Sequence, residues 1–154
     1  MKSVWPDPRF RELTPELLRS ISADEIADAV AQHVELRRQD AGDVAAVLPD
    51  LPPGTRAIYT TFRVDTEVND GGFDLFFRNP ASALAGQALA GYELLGAEDY
   101  AEVMRAAIAT FEVDGEKAHA FDEIDQRYYA LGDAIANVWA TAVHDHPELF
   151  RAPR

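Results

Sequence analysis

The stretch EVNDGGFDLFF, residues 67–77, places two adjacent glycines between an acidic, polar run and a dense aromatic one. A glycine at the end of a helix can adopt the left-handed conformation that satisfies the last carbonyl groups. Phe73, Phe76 and Phe77 follow at the spacing i, i+3 and i+4, which puts them on one face of a short helix. The stretch therefore predicts a glycine corner at residues 70–73, with the aromatic residues packed into the core.

The same glycines could instead form a nest of backbone N–H groups that binds an anion, oriented by Glu67 or Asn69. No lysine adjoins the glycines and no strand is predicted before them, so the patterns of phosphate-binding loops and dinucleotide-binding folds do not fit. We therefore expect a structural role for the glycine pair. A ligand-binding cleft near Glu67, Asn69 and Asn79 is the alternative.

Two cap patterns near the N-terminus predict helices within residues 14–40. Thr14 precedes a proline, which is the arrangement of an N-cap followed by proline at the first helical position. Ser22 opens a capping-box pattern, and apolar residues then recur four apart. Glycine and proline are concentrated farther along, in LPDLPPG, so a loop is predicted over residues 42–54.

The central and C-terminal parts of the chain are also predicted to be helical. A helix leads into the glycine pair, although residues 58–62 would also suit a strand by propensity. Asn79 with the proline after it opens the next helix, and Gly96 ends it. Apolar residues three and four apart over residues 121–142 predict one long final helix. Strand-like alternation is nearly absent, so we predict an all-α fold, a single compact domain of about six helices over residues 1–154.

The chain is strongly acidic, with 27 Asp and Glu residues against 14 Lys and Arg residues and a formal net charge of −13. The excess is uneven, because residues 93–148 contain 13 acidic and only three basic residues. This balance disfavours direct binding to nucleic acid, whose phosphates would be repelled. It is compatible with an ordinary solvated surface and also with a surface that binds a basic partner.

Composition limits the other classes of function. The sequence contains no cysteine, which leaves no disulfide, thiol nucleophile or thiolate metal ligand. The first ten residues have no apolar run typical of a secretory signal, and no stretch of about 18 apolar residues could span a membrane. We therefore expect a cytoplasmic protein with no membrane contact and no cofactor.

Residues 67–79 resemble the hallmark of a bacterial family of domains of unknown function. That hallmark is the pattern acidic-x-Asn-x-Gly-Gly-Phe, followed by an aromatic pair and an asparagine. Residues 121–129 and the stretch HPELF at 146–150 are also similar to this family, and the resemblance covers about residues 55–150. Asp70 departs from the pattern, since the family often has a second asparagine there. The hallmark residues, for which we expect a structural role, are Glu67, Asn69, Gly71, Gly72, Phe73, Phe76, Phe77 and Asn79.

The resemblance implies a mostly helical fold and, for most members, no established activity. The family includes a DNA mimic, an acidic protein that occupies the DNA-binding surface of a transcription regulator. Carboxylates on a rigid helical scaffold can imitate a row of phosphates. Glycines and phenylalanines cannot, so mimicry by this chain would depend on its acidic residues and not on the hallmark. The candidate binding residues are Glu98, Asp99, Glu102, Glu112, Asp114, Glu116, Asp122, Glu123, Asp125 and Asp133.

Two groups of residues could instead indicate catalysis or metal binding. Asp122, Glu123 and Asp125 bring carboxylates close together in sequence, but helical surface acids are usually only solvated. His144 and His146 could ligate a metal, yet they precede a proline and suit the C-terminal end of a helix better. Neither group completes a catalytic or metal-binding motif. We therefore assign no catalytic residue and no metal site.

Three classes of function remain open. The first, which the charge favours, is a non-catalytic binding protein, in its sharpest form a DNA mimic bound to a basic DNA-binding regulator. The second is an immunity or antitoxin-like protein that neutralises a basic toxin. The third is an enzyme or ligand-binding domain with a site near the glycine pair. An apolar seam on the final helix could also support a homodimer, although burial within the monomer would explain it as well.

Overall fold

A computed structural model of the protein describes residues 4–152. Contacts between Cα atoms group the chain into two compact units. Unit 1 consists of Met1–Tyr59 and Ala136–Arg154, and unit 2 consists of Thr60–Ile135. The single domain predicted for residues 1–154 stays a prediction.

All regular secondary structure within residues 4–152 is helical, which confirms the predicted all-α fold. The α-helices are α1 (Pro15–Ser20), α2 (Ala23–Ala41), α3 (Val44–Val47), α4 (Pro53–Arg78), α5 (Ala85–Leu94), α6 (Glu98–Asp114), α7 (Asp122–Ala130) and α8 (Ala134–Asp145). Short 3-10 helices lie at Pro8–Arg11, Leu48–Asp50, Pro80–Leu84 and Pro147–Phe150. In this part of the chain no helix has both the length and the apolar character that a membrane crossing requires.

Side-chain caps determine where two helices of unit 1 begin. The Thr14 hydroxyl accepts a hydrogen bond at 3.1 Å from the backbone N–H three residues ahead, as predicted for the start of α1. Asp43 caps α3 in the same way at 2.9 Å, so a helix forms within residues 42–54, where a loop was expected. Ser22 precedes α2 but makes no side-chain cap.

The core of unit 1 forms around α2. Its buried face includes Ile26, Val30 and Val34, which recur four apart in sequence. Phe150 is also fully buried and packs closely on Gly54, where a Cβ atom would lie 2.7 Å from the ring. The glycine therefore allows the C-terminal 3-10 helix to approach the start of α4.

Unit 2 contains the greater part of α4, together with α5, α6 and α7. α5 packs against α6, and α6 packs against α7. Gly96, at φ +74°, follows the end of α5 and turns the chain into α6, which agrees with its predicted role as a helix stop. Tyr92, Met104 and Tyr128 are among the largest fully buried side chains and form part of this core.

The number of helices differs from the prediction, because residues 4–152 contain eight α-helices instead of about six. One additional helix is α3. The other arises because the predicted final helix is divided into α7 and α8 at residues 131–133, where Gly132 has φ +63°. Apolar spacing continues across this break, so periodicity does not reveal it, whereas a glycine able to adopt positive φ does.

Asn79 also plays a different part from the one predicted. It precedes a 3-10 helix, Pro80–Leu84, and its side chain makes no cap there. The α-helix predicted to begin at this point starts only at Ala85. The side chain of Asn79 instead hydrogen bonds to α4.

Candidate functional site

The two glycines of the stretch 67–77 interrupt the helical backbone of α4. Gly71 has φ −155° and ψ 21°, and Gly72 has φ 76° and ψ −179°. The combination at Gly72 is one that residues with a side chain rarely adopt. Helical geometry resumes at Phe73, so the glycines separate a long helical segment from a short one.

A carboxylate from α7 lies directly against this interruption. The Oδ1 atom of Asp125 accepts a hydrogen bond from the backbone N–H of Phe73 at 2.8 Å. A Cβ atom at Gly72 would lie 2.5 Å from Asp125 Oδ2, so a residue with a side chain would collide with the carboxylate. Burial raises the pKa of Asp125, while the hydrogen bond from Phe73 opposes that shift. The anion that this backbone binds is therefore supplied by the chain itself.

Glu67 and Asn79, which flank the glycines, bind to each other. Asn79 Nδ2 donates to Glu67 Oε2 at 2.8 Å, and the Arg63 guanidinium lies 3.5 Å from Glu67 Oε1. Both carboxylate oxygens of Glu67 thus have protein partners. A ligand in the predicted cleft near Glu67, Asn69 and Asn79 would have to compete with these contacts.

Two tyrosine hydroxyls connect α7 to α4. Tyr128 donates to Asp65 Oδ1 at 2.6 Å, and Tyr129 donates to the carbonyl oxygen of Val68 at 2.9 Å. Burial raises the pKa of Asp65, and hydrogen bonds from Tyr128 and Asn69 act in the opposite direction. Burial also raises the pKa of Tyr128, so its phenol keeps the proton that it donates.

The phenylalanines of the stretch 67–77 are buried, as predicted, at Phe73, Phe76 and Phe77. The ring of Phe77 stacks on Phe111 with centroids 4.4 Å apart and planes within 5° of parallel. It also stacks on Phe121 at 5.3 Å. Phe111 and Phe121 flank residues 112–120, so a single ring holds both ends of that segment.

Six of the eight hallmark residues therefore contact one another or α7. Asn69 and Gly71 are exposed, and the other six are buried or half-buried. This arrangement stabilises the local fold, and the structural role expected for the eight hallmark residues stays a prediction. Sequence reasoning missed Asp65, although it precedes Asn69 by four residues and so lies on the same helical face.

The ten predicted acidic binding residues all lie in unit 2. Nine of them are exposed, and Asp125 is half-buried against Phe73. α6 contains five, α7 contains three, and the connections on either side of α7 contain Glu116 and Asp133. Unit 2 as a whole has 15 acidic and five basic residues, so it carries most of the charge excess.

One face of α6 combines three of these acids with a cation. Glu98, Glu102 and Glu112 lie within about 80° of one another around the helix axis, and successive residues are about 6 Å and 15 Å apart along it. Arg105 lies on the same face, with its guanidinium 3.8 Å from Glu98 Oε2 and 3.9 Å from Glu93 Oε1. Sequence reasoning missed Arg105, although its spacing from the glutamates places it among them.

Residues 112–120 continue the acidic surface beyond this face. Glu112, Asp114 and Glu116 are exposed there, and Val113 between them is 83% exposed. His119 Nδ1 lies 3.0 Å from Asp122 Oδ2, so one acid of α7 has a local partner. The residues that flank this segment, Phe111 and Phe121, both stack on Phe77. The acids of the segment therefore lie between two anchored ends.

The other groups considered for catalysis or metal binding form local pairs. His144 Nδ1 lies 3.0 Å from Asp145, and His146 Nδ1 lies 3.3 Å from Glu148. Over residues 4–152, no three His, Asp or Glu side chains are grouped so that they could hold a metal ion. Asp125, one of the three clustered carboxylates of α7, already accepts a hydrogen bond from the Phe73 N–H.

Comparison with models of protein families gives a match. A family model described as DMP19-like protein matches residues 49–146, well over half of the chain. The matched range contains the hallmark, α7 and all ten candidate acids. Neither the curated proteins nor the solved structures provide a match.

Proposed function

Because the chain belongs to the DMP19-like protein family, we propose that it is an acidic, non-catalytic binding protein that occupies the basic, nucleic-acid-binding surface of another protein. The observation that supports this most is the exposure of nine acidic side chains on unit 2. A DNA-binding surface attracts such carboxylates for the same reason that it attracts phosphates. In this proposal the hallmark holds the scaffold and the acids make the contacts.

The contact is centred on α6 and residues 112–120. Glu98 and Asp99 lie in the first turn of α6, where the helix dipole stabilises negative charge. Glu102 lies one turn farther on, and the acids beyond Glu112 are held in place through Phe77. Acids fixed on rigid elements lose little conformational freedom on binding, which favours affinity.

The first test is capture of the partner from a lysate of the native host on immobilised protein, at about 0.05 M and about 0.5 M salt. We expect a basic, nucleic-acid-binding protein that is retained only at low salt. Duplex DNA added in excess should displace it, because both ligands compete for one surface. Retention that is insensitive to both salt and DNA would contradict the proposal.

Charge reversal locates the contact on the molecule. Glu98→Lys, Asp99→Lys and Glu102→Lys together should weaken binding of the captured partner at least about tenfold, about 1.4 kcal/mol. The chain offers a matched control, Asp24→Lys, Glu25→Lys and Asp28→Lys, with the same spacing at the start of α2. The control makes the same change in net charge, but on α2 and not on the proposed contact. It should therefore reduce binding much less than the α6 variant does.

Two outcomes would change the assignment. Equal losses for the two triple variants would mean that net charge alone drives binding, and α6 would not be the contact. A captured partner that is toxic and does not bind nucleic acid would favour the immunity or antitoxin-like alternative, which the same acidic surface would serve.

A further inference from the structure

Unit 1 contains an open cavity of about 610 Å³, a size typical of sites that bind small molecules. Its apolar lining includes the buried side chains of Val47, Leu51 and Phe150. Most of its lining lies outside residues 49–146, the range that matches the family. The cavity also lies in a different unit from the acidic surface of α6, so it is independent of the function proposed above.

A buried histidine forms part of the cavity wall. His33 is only 4% exposed, and its Nδ1 lies 2.7 Å from the carbonyl oxygen of Phe10. A carbonyl can only accept, so Nδ1 must carry the proton and donate it. Burial lowers the pKa of His33, as does the nearby charge of Arg37, which keeps the ring neutral. Nε2 is then the hydrogen-bond acceptor of the ring.

The charged side chains that line the cavity are mostly acidic. Glu16 and Asp40 already form ion pairs with arginines, at 3.6 Å and 3.3 Å. Within the described residues, Glu12 and Asp50 form no ion pair, and neither does Arg37. The groups left for a ligand are therefore two carboxylates and a ring nitrogen that accept, against one guanidinium that donates.

We propose that this cavity binds a small organic amine, protonated at neutral pH and carrying an apolar body. The ammonium group donates a hydrogen bond to His33 Nε2 and is attracted to Glu12 and Asp50. The apolar body lies against Leu51 and Phe150, where its burial contributes the hydrophobic part of the affinity. Arg37 repels the ammonium and attracts an anion, but the two unpaired carboxylates outnumber this one guanidinium, so the cavity favours a cation over an anion of the same shape.

The test compares two probes of similar shape and opposite charge, phenethylamine and 3-phenylpropionate, titrated into the full-length protein and followed by NMR. We expect phenethylamine to bind at least about tenfold more tightly than 3-phenylpropionate. The chemical shift changes should fall on residues that line the cavity, including His33 and Leu51. Equal or tighter binding of 3-phenylpropionate, or no binding of phenethylamine, would overturn the proposal.

One variant measures how much His33 Nε2 contributes to the binding of phenethylamine. His33→Asn keeps an N–H that can donate to the Phe10 carbonyl but removes the Nε2 acceptor, so it should weaken phenethylamine binding about fivefold. Because His33 is buried, its substitution could unfold the protein, so a second variant tests the proposal at exposed side chains. Glu12→Gln with Asp50→Asn changes only exposed side chains and should weaken binding to a similar degree.

General attraction of a cation to an acidic protein is the competing explanation. Glu25→Gln removes an exposed carboxylate of unit 1 that does not line the cavity, so it should leave the affinity for phenethylamine unchanged. Losses as large as those of the cavity variants would overturn the proposal. Chemical shift changes confined to the exposed acids of α6 and α7 would do the same.

Discussion

At Gly72, the absence of a side chain is what lets a carboxylate reach the backbone. Two constraints coincide there, because φ is +76° and Asp125 occupies the space that a Cβ atom would need. Either constraint alone would disfavour other residues. Together they make the contact between Phe73 and Asp125 depend on a single glycine.

We therefore expect Gly72→Ala to lower the free energy of unfolding by about 1–3 kcal/mol through backbone strain, with a further loss from displacement of Asp125. Urea denaturation of the purified protein measures this. The control is Gly86→Ala in α5, where nothing lies within 4 Å of the added Cβ. That change should be neutral or stabilise the protein by up to about 1 kcal/mol, because alanine suits a helix better than glycine does. Equal behaviour of the two variants would contradict the role assigned to Gly72.

Residue-scale features could be predicted from the sequence when their partners are near in the chain. The Thr14 cap depends on a backbone N–H three residues away, and the sequence predicts it. The partner of the glycine pair is 52 residues from Phe73, and no local pattern identifies it. Asp125 accordingly appeared to be one surface acid among ten, although it forms a structural contact.

At the scale of the helices, a side chain of α6 stabilises the break between α7 and α8 by hydrogen bonds. The Tyr100 hydroxyl accepts a hydrogen bond from the Ile135 N–H at 3.1 Å and donates to the Gly132 carbonyl at 3.4 Å. Tyr100 is only 3% exposed, so water cannot readily replace it. One side chain thus satisfies one backbone group within the break and one in the first turn of α8.

Tyr100→Phe should lower the free energy of unfolding by about 1–3 kcal/mol, because it leaves a buried N–H without an acceptor. The matched control is Tyr129→Phe, which removes a hydroxyl bound to the Val68 carbonyl from a side chain that is 41% exposed. Water can replace that hydroxyl, so the expected cost is about 0.5 kcal/mol or less. Urea denaturation compares the two variants, and a larger loss for Tyr129→Phe would contradict this account.

The existence of most helices could be predicted from apolar spacing, whereas their ends could not. The spacing of apolar residues predicts the helical character of residues 121–142, but it does not reveal the break at Gly132. α3 was missed for a different reason, since four residues are too few to establish a period. Its cap, Asp43, is the local signal that could have identified it.

For the whole molecule, the dominant electrostatic property is the net charge of −13. Like charges on a folded chain repel one another, and dissolved salt screens that repulsion. The Tm should therefore rise as salt is increased from about 0.01 M to about 0.15 M, since the Debye length falls from about 30 Å to about 8 Å. Calorimetry measures this, and a Tm that falls over that range would contradict it.

The control for that prediction is the variant Glu98→Gln, Asp99→Asn and Glu102→Gln. It removes three negative charges from unit 2, which carries most of the charge excess, so its Tm should depend less on salt than that of the unmodified protein. At this scale the sequence alone predicts the excess of charge. The exposure of individual acids and the cavity of unit 1 depend on how distant segments pack, which composition does not encode.

The stacking of Phe111 and Phe121 on Phe77 has a consequence for how the loop between α6 and α7, residues 115–120, can change. The entropy lost when a loop closes grows only with the logarithm of its length, so doubling a loop costs about 0.6 kcal/mol. Here both ends of the loop are fixed by one ring, and closure does not depend on the residues between them. The loop can accept insertions or an exchanged set of side chains with little loss of stability, which makes it the place where a new binding specificity could be grafted.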